Sequence, residues 1–211
     1  MSDFQKQYAL WDEFLSVWPA SRLATMTLDE YSQAGSKDSF TYWIESGLDK
    51  LGSIWGGSSF KFGVFSRKDT EDKKSDAKLS YSDTHGWYSS LGASAEDAFE
   101  KVQGFIVQVA DWASRGDLDA IDAFQDLGEA YKWKIAYHYQ NRANPGVVAV
   151  FKPERIHAWL KGRTGAIPQR TSERYRQILG LQAGKDLLTL SREVWEETAT
   201  VEGPKPLKVQ G

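Results

Sequence analysis

Tyr131-Lys132-Trp133-Lys134-Ile135-Ala136-Tyr137-His138-Tyr139-Gln140 decides how much of this chain is sheet. Tyr131, Trp133, Ile135, Tyr137 and Tyr139 alternate with Lys132, Lys134, Ala136, His138 and Gln140. A helix can hold such a stretch, but a period of two favours a strand with one wet face. Asn141 to Gly146 then reads as a turn and Val147 to Phe151 as a short β-branched run, so 131–151 is expected to be a hairpin. On the strand reading His138 is solvated.

Further sheet is expected upstream. Phe60 to Ser66 alternates Phe60, Phe62 and Val64 with Lys61, Gly63 and Phe65. Arg67 to Lys78 is charged and small, an exposed connection, and Leu79-Ser80-Tyr81 returns as a strand towards the turn chemistry of Asp83-Thr84-His85-Gly86. The remainder is helical. Phe4, Tyr8, Trp11, Phe14 and Leu15 recur at helical spacing before Trp18-Pro19. Thr27-Leu28-Asp29-Glu30 is a capping box. Phe40, Trp43, Ile44, Leu48 and Leu51 form one stripe that Gly52 stops. Ser94 opens the longest helix, which ends at Arg115-Gly116, and a short one follows from Asp117. Pro153 stands at the first turn of another, and 171–179 and 185–198 complete the set.

The fold class expected is α+β: a small antiparallel sheet packed on several helices, with a helical C-terminal segment. The division expected is an α+β recognition domain over 1–162, a helical extension over 163–200, and a tail or linker over 201–211, where Pro204 and Pro206 lie.

Composition narrows the chemistry. The 211 residues are 41% hydrophobic and 26% charged, as in a globular chain, but 13% aromatic with nine tryptophans. There is no cysteine, which removes disulfides, thiolate metal sites and thiol catalysis. The N-terminus lacks a secretory pattern, and no apolar run nears the ~20 residues that span a bilayer. A soluble cytoplasmic protein is expected. The net charge of −3 is unevenly spread. Nine carboxylates face two cations over 93–130, and ten cations face two carboxylates over 131–180. Such a split gives either two solvated faces that neutralise each other or one phosphate-binding surface.

Catalytic motifs fail one by one. Gly180-Leu181-Gln182-Ala183-Gly184-Lys185-Asp186 has its glycines one residue too close for a phosphate loop, and Asp186 stands where Ser or Thr must hold magnesium. His85, His138 and His157 show no metal-ligand spacing. No G-x-S-x-G turn is present. The acids of 96–129 fall at helix starts, where they cap and solubilise. No enzyme activity, metal or cofactor is expected of the chain.

Binding chemistry remains. Gly56-Gly57-Ser58-Ser59 is a flexible turn ringed by aromatics. Trp43, Trp55, Trp87 and Trp133 are the candidate stacking residues, with Ser58, Ser59 or His85 to bond a base edge. Lys61, Arg67, Lys132, Lys134 and Arg142 interleave with aromatics and are the candidate phosphate ligands. Taken singly, each aromatic is more simply a core residue and each lysine a solvated one; the binding expectation concerns the cluster.

The order Met26-Thr27-Leu28-Asp29-Glu30-Tyr31, Phe40-Thr41-Tyr42-Trp43-Ile44-Glu45, Leu51-Gly52-Ser53-Ile54-Trp55-Gly56-Gly57-Ser58, Phe60-Lys61-Phe62-Gly63-Val64-Phe65, Trp87-Tyr88, Ala98-Phe99, Tyr131-Lys132-Trp133-Lys134-Ile135-Ala136 and Val150-Phe151-Lys152 resembles the N-terminal region of McrB-type AAA+ proteins of modification-dependent restriction systems. The resemblance covers 18–160 and consists of aromatics and glycines. It implies a specificity domain that binds double-stranded DNA, methylated or otherwise modified, in an aromatic pocket. It also implies a GTP- or ATP-hydrolysing AAA+ motor in the full-length protein and a partner nuclease subunit. This chain carries no motor motif. Two further expectations are kept beside it: a protein-interaction module that docks a partner or the motor, and a small enzyme acting on nucleotides.

Overall fold

In the computed structural model, which describes residues 2–69 and 71–201, the stretch from Tyr131 is not a strand but the innermost helix. The hairpin expected over 131–151 is therefore absent. Every side chain from Tyr131 to Tyr139 is buried, lysines included, so alternation of aromatic and basic residues does not mark a dry and a wet face. A helix covered on all sides has no amphipathic stripe to reveal its period.

In chain order the helices are α1 (Asp3–Val17), α2 (Ala20–Leu23), α3 (Leu28–Tyr31), α4 (Phe40–Tyr42), α5 (Ala95–Arg115), α6 (Leu118–Ala123), α7 (Glu129–Tyr139), α8 (Pro153–Leu160), α9 (Thr171–Gly180) and α10 (Leu187–Glu197). The strands are β1 (Val64–Ser66), β2 (Leu79–Tyr81) and β3 (His85–Tyr88). The fold is α+β, with a small antiparallel sheet and a helical C-terminal region. The sheet order is β1-β3-β2, with Phe65 and Tyr81 both opposite Gly86. Its inner face, Val64 and Trp87, lies on α5, which in turn packs along α7.

The capping boxes at Thr27 and Ser94 form as their sequences dictate, and Pro153 sits in the first turn of α8. Asp186, the residue that spoiled the phosphate-loop reading, caps α10. The stripe from Phe40 to Leu51 is helical but changes gauge, from α4 through a π turn (Trp43–Gly47) to a 3-10 turn (Asp49–Leu51). The strand expected from Phe60 begins only at Val64. Ser58 Oγ accepts from Phe60 N and starts a 3-10 turn (Ser59–Phe62), and Gly63 at φ +77° kinks the chain out of it.

Val147 to Phe151 is buried but pairs with no strand, and it bends at Ala149, where Val150 N donates to Val148 O at 2.8 Å. Side chains satisfy its backbone instead. Gln140 Oε1 accepts from Gly146 N and Val147 N, Gln140 Nε2 donates to Val147 O, Ser191 Oγ accepts from Ala149 N, and Tyr175 OH donates to Val150 O. The helices beyond residue 162 do not stand apart as an extension. Tyr175, Ile178, Leu188, Leu190 and Val194 belong to the same buried cluster as Trp133 and Val150. The tail expected over 201–211 lies outside the described residues from 202 onward.

Candidate binding site

The segment from Leu48 to Gly57 passes over α7 and carries the most exposed large hydrophobic residue described, Trp55, at 74%. Its backbone is fixed from beneath. Gly52, at φ +92°, stops the 3-10 turn so close to Val147–Phe151 that a Cβ would lie 2.5 Å from Ala149 O and 2.5 Å from a Phe151 ring carbon. Lys134 rises from α7 and donates to Leu48 O at 3.1 Å and Gly52 O at 2.6 Å. Burial pulls its ammonium down to about 7, against the attraction of Asp49 and Glu45. Lys61 closes the other side by donating to Ile54 O at 3.1 Å, Gly56 O at 2.9 Å and the carboxylate of Glu45. Ile54 is buried, Trp55 N donates to Ser53 Oγ, and Gly56 and Gly57 turn outward at φ +105° and +75° into open space.

Two buried-facing lysines thus hold four carbonyls of this segment, which fixes the backbone on either side of Trp55. Beside Trp55, a recess of about 410 Å³ is lined by Glu45, Ser46, Asp49 and Ser53. Asp49 makes no ion pair among the described residues. The recess therefore offers an aromatic face, two hydroxyls, the Asp49 carboxylate and a Glu45 carboxylate already paired with Lys61.

Most of the expected ligands lie elsewhere. Trp133 is buried in α7, its Nε1 bonded to Glu129 Oε2 at 3.0 Å and its ring edge-on to Tyr175. Trp87 is buried under the sheet with Nε1 on Gly92 O. Trp43 is half-buried against Phe14. Trp133 and Trp87 cannot stack on a ligand, because a ring filling the core has no free face, and Trp43 keeps only part of its ring exposed. Ser58 caps the 3-10 turn, and Ser59 borders a different, hydroxyl-rich recess lined by Ser36, Lys37, Thr41 and Lys68. His85 is half-buried in β3 with Nδ1 on Thr84 Oγ1, and burial lowers its pKa.

Of the five expected phosphate ligands, Lys61, Arg67, Lys132 and Lys134 turn inward and Arg142 stays exposed. Lys132 is fully buried between Phe124 O and Glu129 Oε1, each at 2.7 Å. Lys134 and Lys61 hold the Trp55 segment. Arg67, its side chain 4% exposed, bonds Ser82 O, Asp69 and Glu71 O. Arg142 pairs with Asp12 and covers the Trp11 ring. The three lysines already donate to acceptors inside the fold, whereas Arg142, exposed and bonded through one nitrogen, keeps N–H groups free for solvent or an anion. His138 is likewise buried, not solvated; burial, then Lys134, lowers it to about 3, and its Nδ1 lies 2.7 Å from Lys134 O.

The expected set thus contracts to Trp55, with Lys61 behind it. Glu45, Asp49 and Ser53 were missed, although Glu45 and Asp49 at i and i+4 on a helical stripe are one face by spacing alone. Also missed was the outer sheet face, where Phe60 meets Phe65, Tyr81 and Tyr88 at ring distances of 4.9, 5.9 and 5.2 Å. Among the described residues no three His, Asp or Glu side chains converge as a metal site, and no helix is long and apolar enough to cross a membrane.

Compared with known families, curated proteins and solved structures, the chain matches no family model, no curated protein and no solved structure.

Proposed function

We propose that this chain is a non-catalytic interaction module whose contact element is Trp55 and whose partner inserts a cationic side chain beside it. The carrying observation is an indole at 74% exposure on a backbone fixed by Lys61 and Lys134. Exposing tryptophan costs solvation, and fixing it lowers the entropy lost on association. The adjoining Asp49 carboxylate, unpaired among the described residues, favours a lysine or arginine, for which an indole face contributes about 0.5–2 kcal/mol. The test is fluorescence anisotropy of labelled basic, neutral and acidic peptides against the parent, Trp55→Ala and Asp49→Asn. Basic peptides should bind best, and Trp55→Ala should cost about 2 kcal/mol, the size of an interface anchor. Binding that ignores Trp55→Ala overturns the assignment.

A second reading follows the resemblance to restriction specificity domains. Trp55 is the one expected base-stacking residue whose ring is free, and Ser53 and Asp49 beside it could accept from the amino group of an unstacked base. Phosphate contacts would then fall to Arg142 and to residues other than the four inward-turned cations first considered. A duplex panel (unmodified, 5-methylcytosine, 5-hydroxymethylcytosine, N6-methyladenine) at two salt concentrations tests it. Preference for one modified duplex, lost in Trp55→Ala and weakened by salt, supports this reading over the first.

A further inference from the structure

A second cavity, of about 280 Å³, opens between α1, the Asp49–Ser53 turn and α10. Four ionisable side chains border it: Lys50 and Arg192, Asp49 and Glu196. Among the described residues none of the four pairs with another or with any other charge. Arg192 is nonetheless positioned, its guanidinium lying 4.3 Å from the centre of the Phe4 ring. Gln7 supplies the other fixed group. Its Nε2 donates to Lys50 O at 2.7 Å, which orients the amide, and its Oε1 is sealed from solvent with no donor in reach. Trp195, Leu188 and Ala149 complete the wall.

We propose that this cavity binds a small zwitterion bearing both an ammonium and a carboxylate, of the free α-amino acid class. A simple anion would meet Lys50 and Arg192 but also face Asp49 and Glu196. A simple cation would do the reverse. A molecule with separated opposite charges satisfies both pairs, its carboxylate towards Lys50 and Arg192 and its ammonium towards Asp49 and Glu196. A guanidinium matches a carboxylate through two parallel N–H bonds. The volume lies just below the range of sites for drug-sized ligands and suits a molecule of amino-acid size. This inference does not rest on the Trp55 reading, although Asp49 and Ser53 border both spaces.

The experiment is calorimetry of the whole chain with free glycine, L-leucine, L-glutamate, L-lysine and L-tryptophan, their N-acetyl and C-amide forms, acetate and methylamine. At least one free amino acid should bind with a Kd below about 1 mM, and both of its blocked forms should bind at least about tenfold more weakly. Arg192→Gln and Glu196→Gln, each checked for an unchanged circular dichroism spectrum, should weaken it by about tenfold, and Trp55→Ala should leave it unchanged. Absence of binding by every free amino acid overturns the proposal. So does equal binding of blocked forms, acetate or methylamine, and so does affinity that ignores both cavity variants.

Discussion

Lys134 is the residue on which the exposed segment depends, and its ionisation is readable in solution. In the unfolded chain it holds its proton up to its ordinary value of 10.5, whereas in the fold it releases it near 7. Between those values the unfolded state binds more protons, so stability rises with pH, by up to about 1.4 kcal/mol per unit for one proton. Ionising tyrosines oppose this above their ordinary value of 10.0, since burial raises Tyr31, Tyr131, Tyr137, Tyr139 and Tyr175 and keeps them protonated in the fold. The clear window is therefore pH 7.5 to 9.5, about half a unit inside either limit. Urea melts across it should show stability rising in the parent and flat in Lys134→Met. His138 produces the same sign at acid pH: unfolded it charges below 6.5, folded only near 3, so stability falls as pH drops between them. A parent whose stability is level from pH 7.5 to 9.5 would show that Lys134 keeps its charge in the fold.

At the scale of elements, glycines with positive φ in the Leu48–Gly57 segment play two different roles. Gly52→Ala forces a Cβ onto Ala149 O and the Phe151 ring at an unfavourable φ, so a loss of about 2–4 kcal/mol is expected by chemical denaturation. Gly57→Ala meets no atom within 4 Å and should cost about 1 kcal/mol, the strain alone. Equal losses would mean that Gly52 does not pack as described. In α7, Glu129 holds both Lys132 and Trp133, one with each carboxylate oxygen. Glu129→Ala leaves a fully buried ammonium without its carboxylate and should cost about 2–3 kcal/mol, the lower part of the range for breaking a buried pair because Glu129 is itself partly exposed. Glu129→Gln, which keeps an acceptor, should lose less.

These elements also show what the sequence discloses. Caps, prolines and stop glycines act within three or four residues, so Thr27, Ser94, Asp117 and Pro153 placed their helices correctly. The identity of α7 was not legible, because the cue for a strand is a wet face and here both alternating sets are dry. Val147–Phe151 misled for the complementary reason: it is as apolar as a strand, but it bends at Ala149 and its other partners are the side chains of Gln140, Ser191 and Tyr175, the latter two far along the chain. Of the site, the aromatic-and-glycine turn was visible. That Lys61 and Lys134 turn inward to carbonyls was not, since nothing local distinguishes a strut from a phosphate ligand.

For the whole molecule the open question was whether residues beyond 162 form an appendage, and the packing argues that they complete the core. Tyr175 is fully buried, meets Trp133 edge-on at 5.2 Å and bonds Val150 O at 2.8 Å. Ile178, Leu187, Leu188, Leu190 and Val194 are buried with it. The acidic and basic halves of the sequence also meet here, where Arg176 of α9 holds both oxygens of Asp119 in α6 and Ser172 bonds Asp122. Six apolar side chains at roughly 1.5–3 kcal/mol each amount to on the order of 10 kcal/mol. That is comparable with the entire stability of a domain, about 5–15 kcal/mol. A fragment of residues 1–162 should therefore lack a cooperative melt, lose near-ultraviolet circular dichroism and bind a hydrophobic dye, while 1–201 melts as the parent does. Tyr175→Ala in the full chain should lower stability by about 3–5 kcal/mol without abolishing the fold. A fragment 1–162 with the parent's near-ultraviolet spectrum and a sharp transition would instead make 163–200 a separable extension, and the burial of Tyr175 a contact between two independently folded parts.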